Sequence, residues 1–180
     1  GYTEAGVAPD TVGMVEAHGT STIVGDAVEG EVLHKFFSSG NLKAGSVTLG
    51  SIKSQIGHLK GAAGAAGMLK SVLAIDRGVL PPSANFETPN PNIEFDKGPF
   101  LVHTAPKDWT RRGDVNRRAG VSSFGFGGTN FHVVLEEHRI RSGGVAVPDT
   151  IKKTGPTGDT GPTLFAAAAD SAGELKTQLE

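Results

Sequence analysis

Hydrophobic positions along this chain follow two periods in turn. Val12 to Ala17 is a short apolar run of the kind that forms a buried strand, and it ends on His18. Val28, Val32, Leu33 and Phe36 then share one helical face, predicting a helix from about Ala27 to Ser38 capped by Asp26. Val47 to Ile52 predicts a second buried strand. Gly61 to Asp76 predicts a second helix, in which Ala62, Ala65, Ala66, Leu69, Val72 and Leu73 give a broad apolar surface. The stretch from Leu80 to Asn92 holds Pro81, Pro82, Pro89 and Pro91 and predicts an extended surface connector. Three more strands are expected at about Phe100 to Thr104, Arg117 to Ser122 and Asn130 to Glu136.

The order β-α-β-α followed by three strands argues for a layered α/β domain rather than a bundle or a sandwich. Its first helix-strand pairs predict parallel βαβ connections, and the last two strands, separated by a glycine loop, predict a hairpin. Beyond residue 138 the composition changes. Residues 139–163 are rich in Gly, Pro, Thr and Asp, the composition of a linker. From residue 164 to 180 the chain reads as a strand or turn and then the start of a helix. Both ends fall inside elements, so the sequence reads as an excerpt from something longer.

Composition narrows the function. A net charge of −2 over 180 residues, with no basic stripe, argues against nucleic acid. No apolar run reaches the roughly 20 residues that span a bilayer. The first residues lack the features of a signal peptide, so a cytoplasmic location is expected. With no cysteine, disulfides, thiolate metal sites and an internal thiol nucleophile are excluded. The histidines show no ligand spacing, so no metal site is expected. Glycine is abundant, 26 residues, about twice the usual share of roughly 7%. It concentrates at Gly57 to Gly67 and Gly120 to Gly128, and the row Gly61, Gly64 and Gly67 reads as a smooth helix face for close packing.

Three constellations carry candidate chemistry. The first is Glu16-Ala17-His18-Gly19-Thr20-Ser21-Thr22, a histidine just after a strand, where α/β sites tend to lie. Thr20 and Thr22 can hydrogen-bond amides of an extended ligand. Taken alone, it fits a buried, hydrogen-bonded structural His18 somewhat better than a catalytic one. The second, Gly50-Ser51-Ile52-Lys53-Ser54-Gln55-Ile56-Gly57-His58, puts Lys53 at a strand end and His58 just before a helix. A helix N-terminus favours neutral imidazole, which donates from Nε2. Two neutral histidines and a lysine at adjacent strand ends suit an oxyanion-stabilising site. The third, Ser122-Ser123-Phe124-Gly125-Phe126-Gly127-Gly128-Thr129-Asn130, is neither a dinucleotide fingerprint nor a phosphate loop. It reads as a mobile loop with bulky apolar stoppers, or as a turn whose Phe124 fills the core. His34, expected to be exposed, and His103, His132 and His138 are read as structural or surface residues, and Trp109 as a surface anchor.

These ordered motifs resemble the C-terminal half of a β-ketoacyl synthase (ketosynthase) domain of a multidomain polyketide or fatty-acid synthase, with the thiolase-like fold. The likeness runs from about Val7 to His138, and the tail resembles the start of the linker that follows such a domain. The resemblance implies a layered α/β/α fold with a mixed sheet and decarboxylative condensation of acyl and malonyl thioesters. It makes His18 and His58 the two histidines of a Cys-His-His triad, with Lys53 supporting the second. Thr20 and Thr22 would hold the phosphopantetheine arm of an acyl carrier protein, so that no cofactor is bound by the chain itself. Phe126 would gate the acyl pocket, with Phe124 and Asn130 shaping its loop. Ser21, where many relatives have Gly, is read as a mild change at a tolerant position. The acid that some relatives carry nine residues after the second histidine is Gly67 here, which leaves the partner of Lys53 open. The nucleophilic cysteine would lie in an N-terminal half that the chain lacks, so the chain alone is expected to be inactive in condensation and prone to expose apolar surface. The parent is expected to be a homodimer. Alternatives are a chain-length-factor or decarboxylase-type domain, or a non-catalytic carrier-protein or dimerisation module.

Overall fold

A computed structural model describes residues 1–40 and 42–139; the linker and final segment read above at 140–180 lie outside the described residues. The strands are β1 (Met14–Glu16), β2 (Val47–Gly50), β3 (Val79–Leu80), β4 (Phe100–Leu101), β5 (Lys107–Asp108), β6 (Arg118–Phe124) and β7 (Asn130–Glu136). The helices are α1 (Ile23–Phe37), the single turn α2 (Lys53–Ile56) and α3 (Ala63–Arg77). Five strands form one mixed sheet in the order β4-β2-β1-β6-β7, and β3 pairs separately with β5. β1 runs parallel to both β2 and β6, while β6 and β7 form the expected antiparallel hairpin, Ser122 opposite His132.

Central β1 is buried at all three positions, because both of its faces are covered. Val15 joins Leu33 and Phe37 of α1, Val47, Phe100, Tyr2 and Val12 in one apolar cluster. Its neighbour Met14 joins Ala74 and Ile75 of α3, Leu80, Ala119 and Trp109 in another. Successive strand residues point to opposite faces, so α1 and α3 lie on opposite sides of the sheet. The α/β/α layering read from the sequence is therefore present, with the mixed sheet.

Several local expectations change. Helix α1 begins three residues before Asp26. Its cap is Thr22, whose Oγ1 accepts the Gly25 N–H at 3.2 Å, and Asp26 instead accepts the Ser21 N–H at 3.1 Å. Its apolar stripe turns outward at Val28 and Val32, 56% and 62% exposed. The same inversion holds on α3. The sheet takes its small and polar side, Ala63, Gly67, Lys70, Ser71, Ala74 and Ile75, and leaves Leu69, Val72 and Leu73 in the open. Of the glycine row, Gly64 lies against Ser123 and Gly67 against Glu16, while Gly61 faces open space. Trp109 is no surface anchor: it is 6% exposed and packs in the α3-side cluster.

Behind Trp109 an ion-pair knot ties the hairpin to the β5 segment. The Glu137 carboxylate accepts from Arg111 Nε at 2.8 Å, Arg117 Nη1 at 2.7 Å and the Arg117 backbone N–H at 3.2 Å. These bonds, led by that from Arg111, hold its carboxyl down to about 2, against an ordinary 4.5. A carboxyl lowered by folding stabilises the fold fully above its unfolded value and loses that contribution as pH falls toward the folded one. Glu137→Gln is therefore expected to melt well below the parent at pH 7. The gap should close between about pH 4.5 and 2, read by thermal unfolding across that range. A gap that stays constant over this range would show that the knot is held by packing rather than charge.

Candidate active site

Three parallel strands end on the same edge of the sheet, and each delivers one part of the candidate site. Two residues past β1 comes His18. Just past β2 come Lys53 and His58. At the end of β6 stands Phe124. The rings of His18 and His58 lie 5.8 Å apart, edge to face, and Phe124 lies 5.3 Å from His18.

Hydrogen bonds fix what each histidine offers. His18 Nδ1 accepts the Phe124 backbone N–H at 3.2 Å, and His58 Nδ1 accepts the Lys60 backbone N–H at 3.0 Å. A backbone amide can only donate, so in both neutral rings the proton sits on Nε2. The pair presents two Nε2–H donors. Burial holds His18 below the ordinary histidine range, and the nearby positive charge of Lys53 pushes it the same way. The neutral donor form is thus favoured at neutral pH.

The second motif departs from its expected setting. Lys53 opens α2, which Gly57 closes with φ 76°. A 3-10 turn at Lys60–Ala62 separates His58 from α3, so the amide of Lys60, rather than the dipole of a long helix, sets the His58 tautomer. Among the described residues no hydrogen bond joins Lys53 to His58. Half-buried Lys53 is pushed below the usual lysine range by burial, opposed by the carboxylates of Glu16 and Glu29.

Two carboxylates that sequence reasoning missed hold this arrangement. Glu29 of α1 reaches back to the strand end, where Oε1 accepts the His18 N–H at 2.8 Å and Oε2 the Gly19 N–H at 2.9 Å. Burial raises its carboxyl against the pull of these two amides. Glu16, 1% exposed, accepts Lys70 Nζ at 2.7 Å and the Ile52 N–H at 2.5 Å. Burial raises it too, and Lys70 opposes. A helix spacing of three from Asp26 was the only local signal for Glu29, and nothing adjacent announced the partner of Glu16. Glycine is needed at 19, where φ is 43° and an added Cβ would stand 2.9 Å from that of Ser51.

The remaining candidates are spread around this centre. Thr20 is half-buried on the loop, and the hydroxyl oxygen of exposed Thr22 is engaged as the α1 cap. Ser21 has φ 61°, so its position favours glycine and is less tolerant than expected. Asn130 and Phe124 line an open hollow against α1, together with Val28, Val32 and His132. Phe126 stands apart, its ring fully exposed at the tip of the glycine loop. His132 is structural, bonding Ser122 Oγ at 3.0 Å and packing on Tyr2 at 4.7 Å. His34 is half-buried rather than exposed.

Two family matches cover the chain: residues 1–87 match the C-terminal domain of β-ketoacyl synthases, and residues 89–180 match the ketoacyl-synthetase C-terminal extension. The chain belongs to the β-ketoacyl synthase family. It corresponds to the C-terminal half of a thiolase-like ketosynthase domain. It is 46% identical over 136 residues to a phenolphthiocerol/phthiocerol polyketide synthase of Mycobacterium tuberculosis, covering 76% of this chain and 7% of that protein. With the polyketide synthase GfsA of Streptomyces halstedii it shares 44% over 167 residues, 91% of this chain and 2% of the other. Among solved structures, the ketosynthase from module 6 of the bacillaene synthase of Bacillus subtilis superposes with a TM-score of 0.74 at 42% identity. That match covers 77% of this chain and 25% of the other. An oxazolomycin ketosynthase domain from Streptomyces albus gives 0.73 at 39%, over 78% and 26%. The chain thus spans about a quarter of the ketosynthases it matches and a small share of the synthases.

Proposed function

We propose that this chain supplies the two-histidine half of a ketosynthase active site, and that the complete site extends a polyketide or fatty acyl chain by decarboxylative condensation. The observation that carries this reading is the pair of Nε2–H donors on rings 5.8 Å apart, each held by a backbone amide. Such donors suit an oxygen on which charge develops. In a malonyl thioester the bond to the carboxylate breaks, carbon dioxide leaves, and the electron pair moves onto the thioester oxygen as an enolate. Two such donors would stabilise that oxygen, and one donor of this type is worth about 3 kcal/mol. The enolate carbon then attacks an acyl thioester, and the acyl group's thiolate departs.

The other roles follow from this reading. Thr20 and Thr22 meet the phosphopantetheine arm of an acyl carrier protein; the Thr22 oxygen accepts at the helix cap, and its own O–H remains to donate. Phe126 gates the acyl pocket beside Phe124 and Asn130. The thiol nucleophile comes from an N-terminal ketosynthase half. The apolar stripe of Leu69, Val72 and Leu73 on α3 supports docking by that half, since a contiguous exposed apolar surface marks an interface. The working enzyme is a cytoplasmic homodimer that binds no cofactor of its own.

The test is carbon dioxide release from malonyl-carrier protein, by this chain alone and by a ketosynthase that includes it. The expected result is release and condensation from the whole ketosynthase and no condensation from the chain alone. Condensation by the chain alone would exclude an external thiol. A carrier protein bound without any carbon dioxide release from either form would favour a non-catalytic module.

A further inference from the structure

The residue with the most buried charge in the described part of the chain is not one of the donors. Glu16 closes β1, two residues before His18, and is 1% exposed. One of its oxygens holds the Ile52 N–H at 2.5 Å, one residue before Lys53. The other takes the ammonium of Lys70 at 2.7 Å, itself 9% exposed and carried on α3. The carboxylate crosses α3 above Gly67, where an added Cβ would lie 3.0 Å from Glu16 Cγ and 3.2 Å from Oε1. A side chain here would press the Glu16 carboxylate out of place by a few tenths of an ångström. A buried ion pair is weak evidence for stability on its own, because desolvation offsets its attraction. Its location suggests another role.

We propose that Glu16, anchored by Lys70, is a positioning residue for this site. Its carboxylate pins the start of the segment that carries Lys53 and His58 to the strand that carries His18, and places a negative charge beside that segment. This rests on the functional reading above. The groups that face Lys53 are Glu16 from β1, Glu29 from α1 and Lys70 from α3, and Lys53 in turn acts on His18. Glu16 leads the contributions that keep Lys53 charged, and Lys70 is the smaller opposing one. Removing both members of the pair therefore makes Lys53 easier to deprotonate. Unfolding has the opposite effect, since it returns Lys53 upward to the ordinary lysine value.

The experiment compares the parent with Glu16→Gln and with Glu16→Gln/Lys70→Met, the latter leaving no unpaired buried charge. In the full chain, the titration of Lys53 is read by acetic-anhydride labelling and mass spectrometry across a pH series. Both variants are expected to move its midpoint to lower pH, because each removes the leading contribution that favours the charged form. In the ketosynthase that includes the chain, kcat for carbon dioxide release from malonyl-carrier protein is expected to fall about ten-fold or more. KM should change little, and the alkaline limb should move to lower pH. An unmoved Lys53 midpoint, or parental kcat and pH profile in the double variant, would overturn the proposal and leave the pair a structural one. A midpoint that rises would overturn it as well, because it marks unfolding as the sole effect. A parent that releases no carbon dioxide would overturn the functional reading instead, while the labelling would still decide the role of Glu16.

Discussion

Replacing His58 with alanine in a ketosynthase that carries this chain will slow carbon dioxide release from malonyl-carrier protein by about 10²–10³-fold, and His18→Ala will do the same. Each substitution removes an Nε2–H donor whose partner nitrogen is already committed to a backbone amide. On the proposed function the donors serve an oxygen that gains charge only as the carboxylate leaves, so the loss should fall on kcat and leave KM nearly unchanged. Both act on that one oxygen, so the double variant should lose less than the product of the two single losses. Glutamine at position 58 retains an N–H donor and should recover part of the rate. Single-turnover release of labelled carbon dioxide measures all of these. Alanine variants within about three-fold of the parent would mean that the histidines only hold the loops together.

Phe37→Ala will remove about 3–5 kcal/mol of stability. Phe37 is fully buried and packs edge to face with Phe36 and Phe100, each at 5.3 Å, and with Tyr2 at 5.7 Å. These rings surround it from the helix, the edge strand and the N-terminal turn, so the hole left by alanine cannot close by a local shift. Urea unfolding of the full chain can be followed by Trp109, the single tryptophan, which lies in the cluster on the other side of the sheet. A lower midpoint with an unchanged slope would show that the two faces unfold as one unit. If tryptophan kept its parental transition while circular dichroism lost its own, the two clusters would unfold independently despite sharing β1.

Much of this architecture was legible along the chain. Short apolar runs with Gly, Pro or polar residues at their ends placed β1, β2, β6 and β7 within a few positions, because such runs are too short for helices and are bounded by turn residues. The hairpin followed from its glycine loop. Helical faces were misread for a definite reason. Periodicity finds an apolar stripe but does not say what covers it. On α3 the stripe of Leu69, Val72 and Leu73 is exposed, while the sheet packs on Gly67, Ser71 and Ala74. Trp109 failed similarly: polar neighbours in sequence made it look like surface, and chains distant in sequence bury it. The Thr22 cap was passed over because Asp26 also satisfies the capping pattern, and only the backbone of residues 22–25 decides between them.

What the sequence by itself determined is the set of candidate site residues and the strand ends near which they lie. His18, Lys53 and Phe124 each sit just past, or at the end of, a strand that the local pattern identifies, with His58 one short helix further on, and the order of their motifs points to the family. Tertiary structure alone decided which atoms meet. The tautomers depend on amides of Phe124 and Lys60, and the clamps depend on Glu29, Glu16 and Lys70. Those partners lie from 2 to 106 residues away along the chain. A hydrogen bond depends on distance and direction in space, which sequence separation does not encode, so the site's parts can be read before folding and its geometry only after it.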